Sequence, residues 1–361
     1  MNLQPQAGDD MAIGFLAESE QRATDVASAL VDFLQQARHS LDFAVYDLRL
    51  SDALKAMLAA ALAERARAGV AIRIAYDADK PALPALAIGM DPAPGGTGDF
   101  VRSLSYPYRR IGGMKLMHNK YIVRDAGTAS AAVWTGSTNF TDDAWTLMEN
   151  NIVVLASAQV AAAYTHDFTD LWQSGTIENT GQFDPDPVQL IFGGEPVRAQ
   201  VLFSPGEGPA IDHEVARMVG GARRRVRICS MLLNSGALLG ALRDLLRAGD
   251  VPVDGIYDQT QMREVLQQWQ EVPPNRWKIG AIEEIVSAAG LVGKRSTPYS
   301  PTGRHDFMHN KVLVVDDTVM TGSYNFSHSA EQNAENILLL ESAPLAEAYS
   351  RYIDHLKAKY G

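Results

Sequence analysis

Residues 116–126 read LMHNKYIVRDA, and residues 307–317 read FMHNKVLVVDD. Each stretch holds His-Asn-Lys, four residues, then Asp: His118, Lys120 and Asp125 in one, His309, Lys311 and Asp316 in the other. Both are short β-rich runs, and alternate residues of a strand share a face. His118 and Lys120 therefore point one way and Asn119 the other. Downstream, TGSTNF (135–140) returns as TGSYNF (321–326), and Glu149-Asn150 returns as Glu335-Asn336. A single His-x-Lys is weak evidence of chemistry. Recurrence with the same Asn, the same distance to Asp and the same Gly-Ser-x-Asn-Phe is not chance. A structural repeat alone would keep apolar positions and glycines, with no reason to keep His, Lys, Ser and Asn together.

The repeat extends upstream. SLDFAVYD (40–47) resembles RVRICSML (225–232), and each precedes a Leu- and Ala-rich stretch. Leu54, Met57, Leu58, Ala61 and Leu62 in one, and Leu238, Leu242, Leu245 and Leu246 in the other, have the three-and-four spacing of a helix face. Gly69 and Gly249 supply the stops. Strands ending in Tyr-Asp follow, at 70–77 and 251–258. The order in each half is helix, strand, helix, strand, a variable insert, two strands and a helix. Such alternation predicts an α/β fold with a mostly parallel sheet. The halves are placed at 12–175 and 190–361, joined by a polar linker at 176–189. The inserts are PALPALAIGMDPAPGGTGD (81–99), rich in Pro and Gly, and a longer, partly helical segment near 259–304; long connections of this kind often form lids or binding loops.

Composition bounds the function. The 361 residues are 46% apolar and 21% charged, as in soluble globular proteins. A net charge of −11 argues against broad adhesion to nucleic acid or anionic membrane, and leaves room for a small basic pocket. The single cysteine, Cys229, excludes an internal disulfide and a Cys-based zinc cluster, and sits in a strand as a small buried hydrophobe. No apolar run of membrane-spanning length occurs, and the first residues lack a secretory pattern. The chain as given is expected in the cytoplasm, or outside the cell if it is a processed form that has lost a leader.

HxKxxxxD followed by GSxN, present twice, resembles the phospholipase D superfamily, the HKD phosphodiesterases, over nearly the whole chain. The resemblance implies two duplicated α/β/α sandwich halves packed pseudo-symmetrically around one shared active site. It implies cleavage or exchange of phosphodiester bonds without metal or cofactor, through a phosphohistidine. The residue types suit that chemistry. A neutral histidine nitrogen attacks phosphorus, and a second, protonated histidine supplies the leaving oxygen with a proton. Lys120 and Lys311 offer positive charge to the phosphoryl oxygens; Ser137, Ser323, Asn139 and Asn325 offer neutral donors. By resemblance, His118 is the nucleophile and His309 the acid/base, with Glu149 orienting His118 and Glu335 orienting His309. Asp125 and Asp316 are read as structural, tying the ends of their strands to a neighbouring group.

Basic residues before the motifs (Arg102, Arg109, Arg110 and Lys115; Lys294, Arg295 and Arg304) could gather a phosphate-bearing substrate. Tyr106, Tyr108 and Tyr299 could stack on a base or wall a lipid pocket. His305 and His328 could border the site. The expected substrate is a phospholipid at a membrane or micelle surface, with nucleic acid as the alternative and phosphatidyl transfer of the cardiolipin-synthase kind as a third reading. Both motifs lie in one chain, so a monomer suffices.

Overall fold

The computed structural model describes residues 1–77, 96–301 and 303–361, so residues 81–95 of the first insert lie outside it. The first half forms a seven-stranded sheet. Its order is Met11–Leu16, Asn150–Leu155, Ala132–Gly136, Lys120–Arg124, Ser40–Val45, Ala71–Asp77 and Tyr108–Ile111. The second half forms an eight-stranded sheet in the order Val188–Phe192, Glu195–Ser204, Glu335–Glu341, Thr318–Gly322, Lys311–Val315, Val226–Ser230, Val253–Asp258 and Gly290–Lys294. Apart from the added strand Val188–Phe192, the two orders correspond strand for strand, as a duplicated fold requires.

Neither sheet is mostly parallel. Within these two sheets, parallel pairing is confined to the three strands at one edge of each; the other pairs are antiparallel, and a separate parallel pair joins Leu48–Arg49 to Phe140–Thr141. The physical reason is the connection. Helical crossovers link only the early strands, whereas the strand carrying each Lys returns directly by a tight turn, which demands an antiparallel partner. Beyond the expected order, each half also contains a strand before its first helix, an edge strand before its motif strand (Tyr108–Ile111, Gly290–Lys294) and a last strand before its closing helix (Asn150–Leu155, Glu335–Glu341). The chain between the halves has no regular structure until Val188, and Val188–Phe192 then lies against the first half, where the Asp10 amide donates to the Ile191 carbonyl at 2.9 Å.

Three apolar cores define the layers. One lies outside the first sheet, under helices Ala23–Gln35 and Asp52–Arg67. Another lies outside the second sheet, under Gly208–Gly220 and Gly236–Ala248. The central core joins the inner faces of both sheets around helices Ala158–Ser174 and Ala343–Tyr360. Ser157 and Ser342 cap these two helices by accepting from Val160 and Leu345 amides.

Crossed amides bind the halves together. Asn336 Nδ2 donates to Asn119 Oδ1 at 3.2 Å, and Asn151 Nδ2 donates to Asn310 Oδ1 at 2.9 Å. Asn119 and Asn310 are the middle residues of the two His-Asn-Lys motifs. Strand alternation turns them inward, so they seal the interface while His and Lys face the other way. Thr135 and Thr321 complete the pattern, donating to Asn336 and Asn151 at 2.9 and 3.0 Å. No helix among the described residues is long and apolar enough to cross a membrane.

Candidate active site

Each His-x-Lys motif opens a central strand and is held in place from three directions. The aspartates that end the Tyr-Asp strands grip the preceding residue: Asp77 accepts from the Met117 amide at 2.8 Å, and Asp258 from the Met308 amide at 3.0 Å. The opposite half grips the histidine main chain. The His118 amide donates to Ala334 O at 2.8 Å, and the His309 amide to Glu149 O at 3.1 Å. At the far end, Asp125 Oδ1 accepts the amides of Arg38, His39 and Ser40 at 2.8, 2.7 and 3.2 Å. Asp316 accepts those of Arg223, Arg224 and Arg225 at 2.9, 2.7 and 3.1 Å. Both aspartates have positive φ, 55° and 52°, and lie well away from the histidines along their strands.

The histidine partners differ from the expected assignment. Glu335 accepts from His118, with Nδ1 to Oε2 at 2.7 Å. His309 Nδ1 faces Asn150 Oδ1 at 3.0 Å. Glu149 is bonded to neither ring. The cause is register. Gly136 pairs with Ile152 and Gly322 with Ile337, so Asn151 corresponds to Asn336 and Asn150 to Glu335. Matching Glu149-Asn150 to Glu335-Asn336 is one residue out. The register is fixed where Gly136 and Gly322, at φ 132° and 145°, press on the partner strand. A Cβ there would lie 2.3 Å from Asn151 O or 2.2 Å from Asn336 O. Asn150 is the residue that sequence reasoning missed; aligning Asn151-Ile152 with Asn336-Ile337 was the signal.

The bonds also assign the tautomers. Asn150 Nδ2 donates to Ala144 O at 3.1 Å, which turns Oδ1 toward His309. His309 must then carry its proton on Nδ1, leaving a lone pair on Nε2. As a carboxylate, Glu335 imposes the same arrangement on His118. Ser137 Oγ donates to Asn150 Oδ1 at 2.8 Å and accepts the Asn151 amide at 3.0 Å. Ser323 Oγ accepts the Asn336 amide at 3.0 Å and bonds Glu335. Both serines are bonded to the histidine partners, and neither lines the cavity.

Lys120 and Lys311 are buried beside the histidines, each donating to the carbonyl of its own motif histidine, at 2.7 and 2.5 Å. Burial pushes the Lys120 ammonium down to about 7 and that of Lys311 well below its ordinary value. Burial, then the two lysines, hold His118 well below the ordinary imidazole value, and His309 follows for the same reasons. Burial raises Glu335 to about 8, against the pull of Lys120. Two lysines and two histidines are thus buried together, each disfavouring the charge of the others. An entering phosphate anion relieves that crowding and favours the charged lysines.

His118 and His309 open together onto one cavity of about 520 Å³ that also meets Asn139 and Asn325. Leu116, Met148, Met231, Leu232, Val265 and Trp269 give it a broad apolar wall. Part of that wall is Gln259–Glu271, a helix of the second insert. Tyr299, His305 and Phe307 form another part, a triangle of rings in which the imidazole stacks against both others, at 5.4 and 5.2 Å. His328 reaches the rim. The basic residues expected to gather phosphate are placed otherwise. Lys294 is buried against Glu149 at 2.6 Å, Arg304 pairs with Glu18 and Asp306, and Arg102 pairs with Asp99. Tyr106 and Tyr108 do not line the cavity. Cys229 is buried, with Sγ 3.4 Å from Met308 Sδ. Among the described residues, no three His, Cys, Asp or Glu side chains gather as metal ligands.

A duplicated α/β fold that brings two His-x-Lys motifs to one cavity defines a phospholipase D-like protein. The chain belongs to the family described as "Cardiolipin synthase, PLD-like domain", whose model matches it twice, over residues 30–172 and 215–357. It is 31% identical over 187 residues to a mitochondrial cardiolipin hydrolase of Xenopus laevis, covering 49% of this chain and 76% of that protein. It is 26% identical over 149 residues to a phospholipase D of Rickettsia bellii, covering 41% of this chain and 64% of that one. A phospholipase D of Rickettsia prowazekii matches at 54% over 43 residues, 11% of this chain and 21% of that protein. The chain thus spans less than two thirds of these Rickettsia relatives. Among solved structures, a phosphatidylserine synthase of Haemophilus influenzae superposes with a TM-score of 0.67, at 14% identity, over 99% of this chain and 87% of that one. That likeness is one of fold. The family is one of phosphodiesterase-type enzymes.

Proposed function

We propose that this protein is a metal-independent phosphodiesterase that hydrolyses a phospholipid headgroup ester through a phosphohistidine. The observation that carries the reading is the convergence of His118 and His309, from opposite halves, on one cavity with a broad apolar wall. His118 Nε2 attacks phosphorus, and the bond from phosphorus to the headgroup oxygen breaks. His309, protonated once the phosphate anion is bound, gives that oxygen its proton. His309 then takes a proton from water, the water oxygen attacks phosphorus, and the phosphorus–nitrogen bond breaks to release phosphatidate.

The division of labour rests on the unequal partners. Phosphorylation makes the attacking ring cationic, and the Glu335 carboxylate stabilises that charge. The Asn150 amide stabilises an imidazolium less, which leaves His309 the stronger acid. Lys120, Lys311, Asn139 and Asn325 would hold the phosphoryl oxygens, while Ser137 and Ser323 hold the groups behind the histidines. The apolar wall suits acyl chains better than a polyanion, and the net charge of −11 agrees.

The test is to assay the purified protein in excess chelator against phosphatidylcholine vesicles and against single- and double-stranded DNA. Choline and phosphatidate should appear. Added short alcohols should divert product to phosphatidyl alcohol if the phosphoenzyme also serves transfer. Cleavage of DNA without headgroup release overturns the lipid reading, and strict dependence on one divalent ion overturns the metal-independent one.

A further inference from the structure

Glu149 is fully buried yet touches neither histidine ring, and the scheme above leaves it without a task. Its carboxylate is fully engaged. Oε2 takes Lys294 Nζ at 2.6 Å; Oε1 takes the Tyr360 hydroxyl at 2.5 Å and the Glu18 amide at 3.2 Å. Lys294 is itself buried, lies 5.0 Å from the Tyr360 ring centroid and reaches Glu18 at 3.2 Å. The Glu149 main chain brackets the second motif. Its amide donates to Phe307 O at 3.3 Å, and its carbonyl accepts the His309 amide at 3.1 Å. Its sequence neighbour is Asn150, which holds the His309 ring. Glu149 therefore governs both the backbone and the imidazole of His309.

The fold does not require a carboxylate at this point. In the register set by the two glycines, the residue equivalent to Glu149 is Ala334, and its carbonyl accepts the His118 amide at 2.8 Å with no side-chain clamp. The clamp exists on the His309 side alone.

We propose that Tyr360 and Lys294 are positioning residues that act through Glu149 to set where His309 stands, and so serve proton delivery to the leaving group. This rests on the reading of His309 as the acid. It predicts a dependence on the leaving group, because a p-nitrophenolate departs without a proton whereas the choline alkoxide does not.

The experiment measures single-turnover release of headgroup from phosphatidylcholine and from phosphatidyl-p-nitrophenol, for the full chain and for Tyr360→Phe, Lys294→Met and His309→Ala. Tyr360→Phe removes one oxygen and keeps the ring, so it guards against a failure of Lys294→Met to fold. Tyr360→Phe should slow choline release about tenfold and raise the aryl-to-alkyl rate ratio by a similar factor, as loss of a well-placed acid does. An equal fall for both esters, or no fall, overturns the clamp. If His309→Ala leaves the ratio unchanged, the acid assignment itself fails and the clamp with it. If His309→Ala raises the ratio and Tyr360→Phe does not, only the clamp fails.

Discussion

Glu335, from the second half, accepts the Nδ1 proton of His118, from the first, at 2.7 Å, while the equivalent acceptor for His309 is the amide of Asn150. The two rings of a near-symmetric site thus have unequal basicity. Glu335→Gln gives both rings an amide partner. Headgroup release should fall about a hundredfold in kcat, the scale for losing one preorganised electrostatic partner, with KM little changed. An unaltered kcat would show that the carboxylate does no more than orient the ring.

Asn150→Asp makes the opposite change. A carboxylate beside His309 favours its imidazolium, so the His309 pKa must rise. Histidine NMR titration should show this directly. The alkaline limb of kcat/KM should move upward if protonated His309 limits it. A His309 titration indistinguishable from wild type would contradict the placement of Asn150.

Lys120 lowers stability for the sake of its charge. Its ammonium is buried and held at about 7, against 10.5 in the unfolded chain. Below pH 7 both states carry the proton and the folded protein bears the full desolvation penalty. Between pH 7 and 10.5 the unfolded state binds more protons, so the penalty fades as pH rises. Lys120→Met should abolish activity while raising unfolding free energy at pH 6 by of order 1–3 kcal/mol. That gap should narrow by pH 10 in urea titrations; a gap independent of pH would refute the account.

Asp316 joins three amides from a turn at positive φ, a conformation that asparagine tolerates and alanine resists. Asp316→Ala should destabilise the protein by about 2–4 kcal/mol, since three amides lose their acceptor and the backbone is strained. Asp316→Asn should recover part of that loss. Thermal melts of the two variants decide it, and equal melting temperatures would remove the case for a turn-tying role.

Much of this was legible in the chain. The duplication, the α/β class and the opposed faces of His118 and Asn119 follow from repeats and from the two-residue period of a strand. The assignment of partners was not. Glu149-Asn150-Asn151 offers two ways to overlay Glu335-Asn336, and identity of letters favours the wrong one. Only the close approach of Gly136 and Gly322 to their partner strands selects the other, and a one-residue slip turns every side chain to the opposite face. The parallel sheet was overestimated because Asp125 and Asp316 look like strand ends, not the starts of tight returns. Lys294 reads in the sequence as one of the cations that could gather phosphate, because its burial depends on a partner, Glu149, distant in sequence.

The crossed amides of Asn119 with Asn336 and Asn151 with Asn310 have a genetic consequence. Each histidine takes its tautomer from a strand belonging to the other repeat, so the phenotype of a substitution is displaced. Damage to the Gly-Ser pair of one repeat is felt as a fault in the histidine of the opposite repeat, and its natural suppressors lie there too. The two repeats are therefore free to diverge in their outer helices but must change in step along this seam, like the two faces of a zip.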